Sequence, residues 1–254
     1  MAAQPVQQRA GSGWPSLRPF AHRIEAEELL DRVDHEPREL AANLRDIRLV
    51  NRLAGGSATT LRHLPGLISA IPTSRPVEIL DLATGSGDIP LALLVWARRH
   101  ARQLRLTVTD TSTAILDTAR QTLAGAADVA FALYDARAVP LPDRAFDIVL
   151  CSLALHHFSP PDATLVLREM DRLARVGFIV NDIRRSPMGY IAAWTTSRIA
   201  TTNRLTRHDM PLSVLRAYTP AELRGLLADA GITTAIVTTH PLFRMAAVGR
   251  TPGV

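Results

Sequence analysis

The stretch Val77 to Ala97, VEILDLATGSGDIPLALLVWA, constrains the fold more than any other part of the chain. An apolar run passes through Asp81, crosses a turn built on Gly85 and Gly87, and re-enters an apolar helix. A strand, a glycine turn and a helix in that order leave backbone N–H groups free at a helix start, where a ligand can lie against the turn. From Val77 onward strand and helix patterns alternate. Strands are expected over Val77–Leu82, Leu104–Thr109, Val129–Leu133, Ala145–Leu150, Val176–Asn181, Ile232–Thr238 and Phe243–Val248. Helical spacing fills the gaps at Asp88–His100, Ser112–Leu123, Pro161–Leu173 and Pro220–Ala230. The alternation predicts an α/β fold, a doubly wound, mostly parallel seven-stranded sheet with helices on both faces. Only THPLF separates the last two strands, too short for a parallel crossover, so they are expected to form an antiparallel hairpin.

The part before Val77 reads differently. Residues 1–20, rich in Pro, Gln, Gly and Ser, suit a flexible tail and hold no apolar run long enough for a signal peptide. Between Ile24 and Leu53 apolar residues recur at helical spacing, and Pro37 divides the run into two expected helices. Gly55 to Ser57 stops the second, and a third is expected through Leu61 to Ile71. Residues 21–75 are thus read as a helical lid or substrate region, and 76–254 as the ligand-binding α/β domain. A further apolar insert at 186–218, with Met188, Tyr190, Trp194 and Met210, is expected to cover an acceptor site.

Composition limits the partners. At 254 residues and 47% hydrophobic, the chain suits one sizeable domain. The single Cys151 leaves no disulfide framework and no cysteine-built metal site, so no metal and a reducing, cytoplasmic setting are expected. The longest apolar segment, Ile89 to Ala97, is far short of a bilayer span, so no stable membrane insertion is expected. The net charge of +5 comes from scattered Arg with no Lys, without aromatic interleaving, which argues against nucleic acid.

A dinucleotide turn reads G-x-G-x-x-G, but here Pro90 takes the third glycine's place. Asp81 before the turn and Asp88 after it disfavour a pyrophosphate and suit a ligand with a cationic end. The segment DLATGSGD resembles the first motif of class I S-adenosylmethionine-dependent methyltransferases, with Ala83 where the family usually has Gly. The likeness extends to relatives of the ubiquinone and menaquinone biosynthetic C-methyltransferases and the type 11 small-molecule enzymes, and it covers about Val77 to Asp182. It implies S-adenosylmethionine as cofactor, S-adenosylhomocysteine as product, and cofactor contacts from Asp81, Ala83, Thr84, Gly85, Ser86 and Gly87 on the turn. Asp110 and Thr111 after the second strand fit the ribose, since a carboxylate accepts two hydroxyls at once. Asp135 and Ala136 are expected near the adenine, and Ser152 at the end of the fourth strand.

The HHFSP segment follows the fourth strand, where an acceptor would approach the methyl group. His157 is the leading candidate for a base and His156 is assigned mainly to packing, with Asp182, Arg184 and Trp194 as candidate substrate contacts. The expected activity is methyl transfer to a small, largely apolar acceptor, foremost O-methylation of a phenolic or polyketide-like secondary metabolite. C-methylation of a quinol-like ring, a nicotinamide-dependent oxidoreductase and a non-catalytic binding module are the alternatives, and oligomeric state is left open.

Overall fold

The computed structural model describes residues 20–31 and 35–251. Its seven strands form one sheet in the order β3-β2-β1-β4-β5-β7-β6. β1 (Val77–Leu82) pairs in parallel with β2 (Leu104–Asp110) and β4 (Phe146–Ser152), β2 with β3 (Val129–Leu133), and β4 with β5 (Ala174–Ile183). β7 (Arg244–Arg250) runs antiparallel between β5 and β6 (Ile236–His240). The chain order reverses on either side of β1, so the crevice beyond its carboxyl end is the natural ligand position in such a sheet.

β1 shows why the core is two-sided. Val77 and Ile79 point into one apolar cluster, Leu80 and Leu82 into the other, and all four are fully buried. Each is worth about 1.5–3 kcal/mol of burial, so a strand of continuous apolar residues can only be central. The first cluster is closed by α2 (Gly56–Ile68) and α3 (Asp88–Arg99), the second by α5 (Pro160–Leu173) and α8 (Pro220–Asp229). α4 (Thr113–Thr122) lies beside α3 against β2 and β3. At the amino ends of the strands Asp147, fully buried, accepts both terminal nitrogens of Arg75 at 2.6 and 2.8 Å, a charged clasp remote from the crevice.

Three expectations are corrected. Among the described residues the first leading helix is absent: residues 23–28 form no regular element and a 3-10 turn, Leu29–Asp31, follows. The N–H groups of Leu29 and Leu30 go to the Asp209 carboxylate (2.8 and 2.9 Å) and that of Ile24 to the Leu215 carbonyl, so α7 (Arg204–Arg216) satisfies this segment instead of its own turns. Gly55 adopts φ +69° and caps α2, which starts at Gly56, five residues before the expected Leu61. β6 begins at Ile236, because Ile232 turns inward to pack under α8. The two helices on either side of these points, α1 (Pro37–Leu53) and α2, go separate ways: α2 joins the sheet's core, whereas α1 lies over the crevice with α6 (Pro187–Ile199) and α7. No helix among the described residues is long and apolar enough to cross a membrane. The tail at 1–20 lies outside the described residues except for Phe20.

Candidate active site

The turn after β1 is shaped by its own polar groups. Thr84 donates its backbone N–H to the Thr109 carbonyl (2.8 Å) and its hydroxyl to Asp81 Oδ2 (2.6 Å). Gly85 at φ +57° and Gly87 at φ +76° hold the left-handed backbone that brings the chain round into α3. Ala83 also sits at φ +52°, a conformation that costs an alanine about 1–2 kcal/mol and is repaid locally by these bonds. The two glycines differ in what surrounds them. A Cβ on Gly85 would meet nothing within 4 Å, so open space lies over it, whereas one on Gly87 would press on Ala119 and Leu123 at 3.3 Å. Gly85 therefore borders the crevice and Gly87 lets α3 approach α4.

Asp110, at the end of β2, accepts the Gly85 N–H on Oδ2 (3.3 Å) and the Ser112 N–H on Oδ1 (3.1 Å). One bond per oxygen leaves each with acceptor capacity facing the groove. Burial raises its pKa, against the pull of these backbone N–H groups. Asp81 lies under the turn rather than on the groove wall, and its Oδ1 has no partner. Burial pushes the Asp81 pKa up to about 7, with the Thr84 hydroxyl acting in the opposite sense.

The groove, about 760 Å³, is bounded by Ala83, Thr84, Gly85 and Ser86, by Asp110 and Thr111, and by Ser152. It continues into a second space of about 440 Å³ lined by Tyr134, Asp135 and Ala136. Asp135 is already held by Arg137, whose side chain and backbone N–H together keep the carboxyl below its usual range. α1 roofs the groove with Leu40, Leu44, Ile47 and Asn51.

A separate, mostly apolar cavity of about 300 Å³ lies between α1, α6 and α7. It shares Leu30, Ile47, Asn51, Leu153 and His157 with the groove, so the two spaces meet there. His156, buried at 4% exposure, lines this cavity. Its Nδ1 lies 2.7 Å from Asp182 Oδ1, and its backbone N–H donates to Asp182 Oδ2 at 2.9 Å. A carboxylate oxygen accepts, so Nδ1 is the nitrogen that donates to Asp182, and Nε2 is the ring nitrogen left for another partner. His157 is engaged otherwise. Its Nδ1 meets Asp31 Oδ1 at 2.8 Å, and its Nε2 lies 3.9 Å from Glu28. Burial works against its charge, but the Glu28 and Asp31 carboxylates outweigh it and raise the pKa to about 9. At neutral pH His157 is a cation. Glu28, His156 and His157 each offer one donor atom within 4.8 Å of one another, and Arg216, 3.7 Å from Glu28, already supplies positive charge there.

Of the remaining candidates, Arg184 lines the apolar cavity, Asp182 acts from behind His156, and Trp194 lines neither space: it is half exposed on α6 with Arg198 over its ring. Sequence reasoning missed Glu28, Asp31, Asn43, Asp209, Arg216 and Arg244. Asn43 carried a signal, a polar residue set within the apolar stripe of Leu40, Leu44 and Ile47. Glu28 and Arg216 carried none, since only the tertiary fold brings them together.

A family profile described as "Methyltransferase domain" matches residues 79–177, the span that builds the groove floor. Over that span the chain is similar to a methyltransferase domain. The cofactor of such a domain is S-adenosylmethionine. The demethylmenaquinone methyltransferase of Thermotoga maritima is 36% identical over 134 residues, 52% of this chain, which spans about half (54%) of that relative. Among solved structures, the CurJ carbon methyltransferase superposes with a TM-score of 0.62 at 12% identity, covering 85% of this chain and 61% of the other. Human N-acetylserotonin methyltransferase, in complex with SAM, also gives 0.62 at 17% identity, covering 92% of this chain and 61% of that one. At such identities the structural likeness speaks for the fold.

The groove suits that cofactor on its own terms. The open space over Gly85 allows close backbone approach, Asp110 has acceptor capacity for a diol, and the half-buried Asp88 beside the turn adds an acidic group on the side of a cationic ligand.

Proposed function

We propose that this protein is an S-adenosylmethionine-dependent methyltransferase acting on a small, largely apolar acceptor, and that a hydroxyl oxygen is the leading nucleophile. The observation that carries the reading is the His156–Asp182 pair in the wall of an apolar cavity that opens onto the groove. Bound in the groove, the cofactor supplies an activated methyl group. The protein's own work is placement, exclusion of water and removal of one proton. His156 Nε2 accepts that proton from the acceptor hydroxyl, while Asp182 holds Nδ1–H and steadies the imidazolium. This reverses the expected order of the two histidines. A base with its pKa near 9 and two carboxylates around it is already protonated at neutral pH, which removes His157 from that role and leaves it as a cation between the groove and the N-terminal segment.

A second reading, C-methylation of a quinol-like ring, is supported by the T. maritima relative's name and uses the same base to form the ring's nucleophilic anion. The acceptor belongs to secondary metabolism in the first reading and to quinone assembly in the second. No nucleic acid takes part in either.

Cofactor identity is tested by thermal unfolding. S-Adenosylhomocysteine at a hundred times its Kd adds about 2.7 kcal/mol, which raises Tm by roughly 5–10 °C for a chain of this size. NAD is expected to leave Tm unchanged. Stabilisation by NAD and none by S-adenosylhomocysteine would refute the methyltransferase reading.

A further inference from the structure

We propose that the acceptor carries an anionic oxygen and that Arg244, at the start of β7, is the residue that selects it. The inference rests on the methyltransferase reading and narrows its substrate class. Arg244 is 4% exposed and lines the apolar cavity. Its Nε donates weakly to the Ala54 carbonyl at 3.3 Å, and its Nη1 has no partner. Among the described residues no carboxylate forms an ion pair with it. The two nearest in effect, Asp182 and Asp88, favour its charge from a distance but are committed elsewhere, Asp182 to His156 and Asp88 to Ser86 and Asn51. The fold treats its other buried arginines differently. Arg216 meets Asp31 at 2.6 Å and Arg185 is paired with Glu222. A guanidinium cannot shed its charge, and a buried cation without a counter-charge is strongly unfavourable unless a ligand supplies one. Arg184, the other arginine on this cavity, is only partly buried and has its guanidinium over the Phe243 ring at 5.9 Å, though its Nε too lacks a hydrogen-bond partner.

A second orphan lining the same cavity gives the ligand a further feature. Asn43 is fully buried; its Nδ2 donates to the Thr206 hydroxyl at 3.0 Å, and that hydroxyl donates in turn to Asp46 at 2.9 Å. The direction of this chain fixes the amide's orientation and leaves Oδ1 as an unpartnered acceptor. An anionic oxygen on an apolar ligand suits Arg244, and a hydroxyl elsewhere on its body suits Asn43. A carboxylate and an acidified phenol or enol share this chemistry.

The test uses 3-hydroxy-2-naphthoate and its methyl ester as probes, with calorimetry on the protein saturated with S-adenosylhomocysteine. Wild type is expected to bind the acid about tenfold or more tighter than the ester, as a charge-assisted pair in an apolar setting requires. Arg244→Met is expected to erase that preference by weakening the acid alone, and Arg244→Lys to keep part of it. 2-Naphthol, titrated across its own ionisation, separates the two sources: tighter binding of the phenolate alone points to the phenol, and none at any pH points to the carboxylate. Equal binding of acid and ester by wild type, an unchanged preference in Arg244→Met, or no binding of either probe overturns the proposal. S-Adenosylhomocysteine affinity, read in the same titrations, reports on the fold of each variant. Its absence from wild type would sink the methyltransferase reading, and its presence with no acid preference would sink this inference only.

Discussion

At the scale of single residues, neighbours decide which of two adjacent histidines can do chemistry. His156 faces one carboxylate through Nδ1, whereas His157 has carboxylates near both nitrogens. His156→Ala is expected to lower kcat by about 10² to 10⁴ with S-adenosylhomocysteine affinity unchanged, and Asp182→Asn to act in the same direction through the wrong tautomer. The loss should shrink at high pH or with a more acidic hydroxyl; a pH-independent loss would mean that His156 only packs. The glycines of the turn separate in the same manner. Gly85→Val is expected to abolish cofactor binding while the fold survives with a cost of about 1–2 kcal/mol for its left-handed backbone. Gly87→Val adds a clash with Ala119 and Leu123 and should unfold the protein at lower temperature than Gly85→Val. Unimpaired cofactor binding by Gly85→Val would move the cofactor off this turn.

At the scale of elements, the N-terminal segment is held by charge more than by apolar contact. Arg23 Nη2 donates to the carbonyls of His156 and Phe158, and Asp31 bridges His157 and Arg216. The His157 pKa is raised in the folded state, so its contribution is full below the ordinary value of 6.5 and is lost as pH rises through about 9. The Asp31 pKa is lowered, because the His157 and Arg216 contacts outweigh the opposing effect of burial, so its contribution is present above 3.8 and lost as pH falls below that. Limited proteolysis within residues 23–31 is therefore expected to be slowest between these limits and to quicken above about pH 9. In Asp31→Asn it should be fast even at pH 7; equal rates across pH would refute the latch. This element is also where the sequence was least legible. A short 3-10 turn bonded to Asp209, some 180 positions away, leaves no periodic trace, while β1, whose burial is set by its own apolar run, was readable to the residue. The glycine turn, Asp110 and Asp135 were legible for a related reason: their place follows from strand ends that local patterning fixes. Asp31, Glu28 and Arg244 reach the walls of the two spaces only through contacts that long-range packing creates.

At the scale of the whole molecule, two spaces share one roof. α1 contributes Ile47 and Asn51 to both the groove and the apolar cavity, and Leu40 and Leu44 to the groove alone. The sheet and its strand ends form the floor, so a ligand in the groove lies between parts of the chain with different stabilities: a central sheet below, and above it a helix packed against α2 and α7. We expect such a ligand to leave when the roof opens. If that opening is also the event that lets the amides of α1 exchange with solvent, a ligand at a hundred times its Kd should slow their exchange by about 100-fold, because the open state cannot hold it. Hydrogen exchange with saturating S-adenosylhomocysteine is thus expected to protect residues 40–51 of α1 together with the turn at 83–87, and to leave the edge strand β6, remote from both spaces, unchanged. Protection confined to the turn, with α1 exchanging at the ligand-free rate, would show that the helix opens without releasing the cofactor, and the gate would then have to be sought in α6 and α7 over the acceptor cavity.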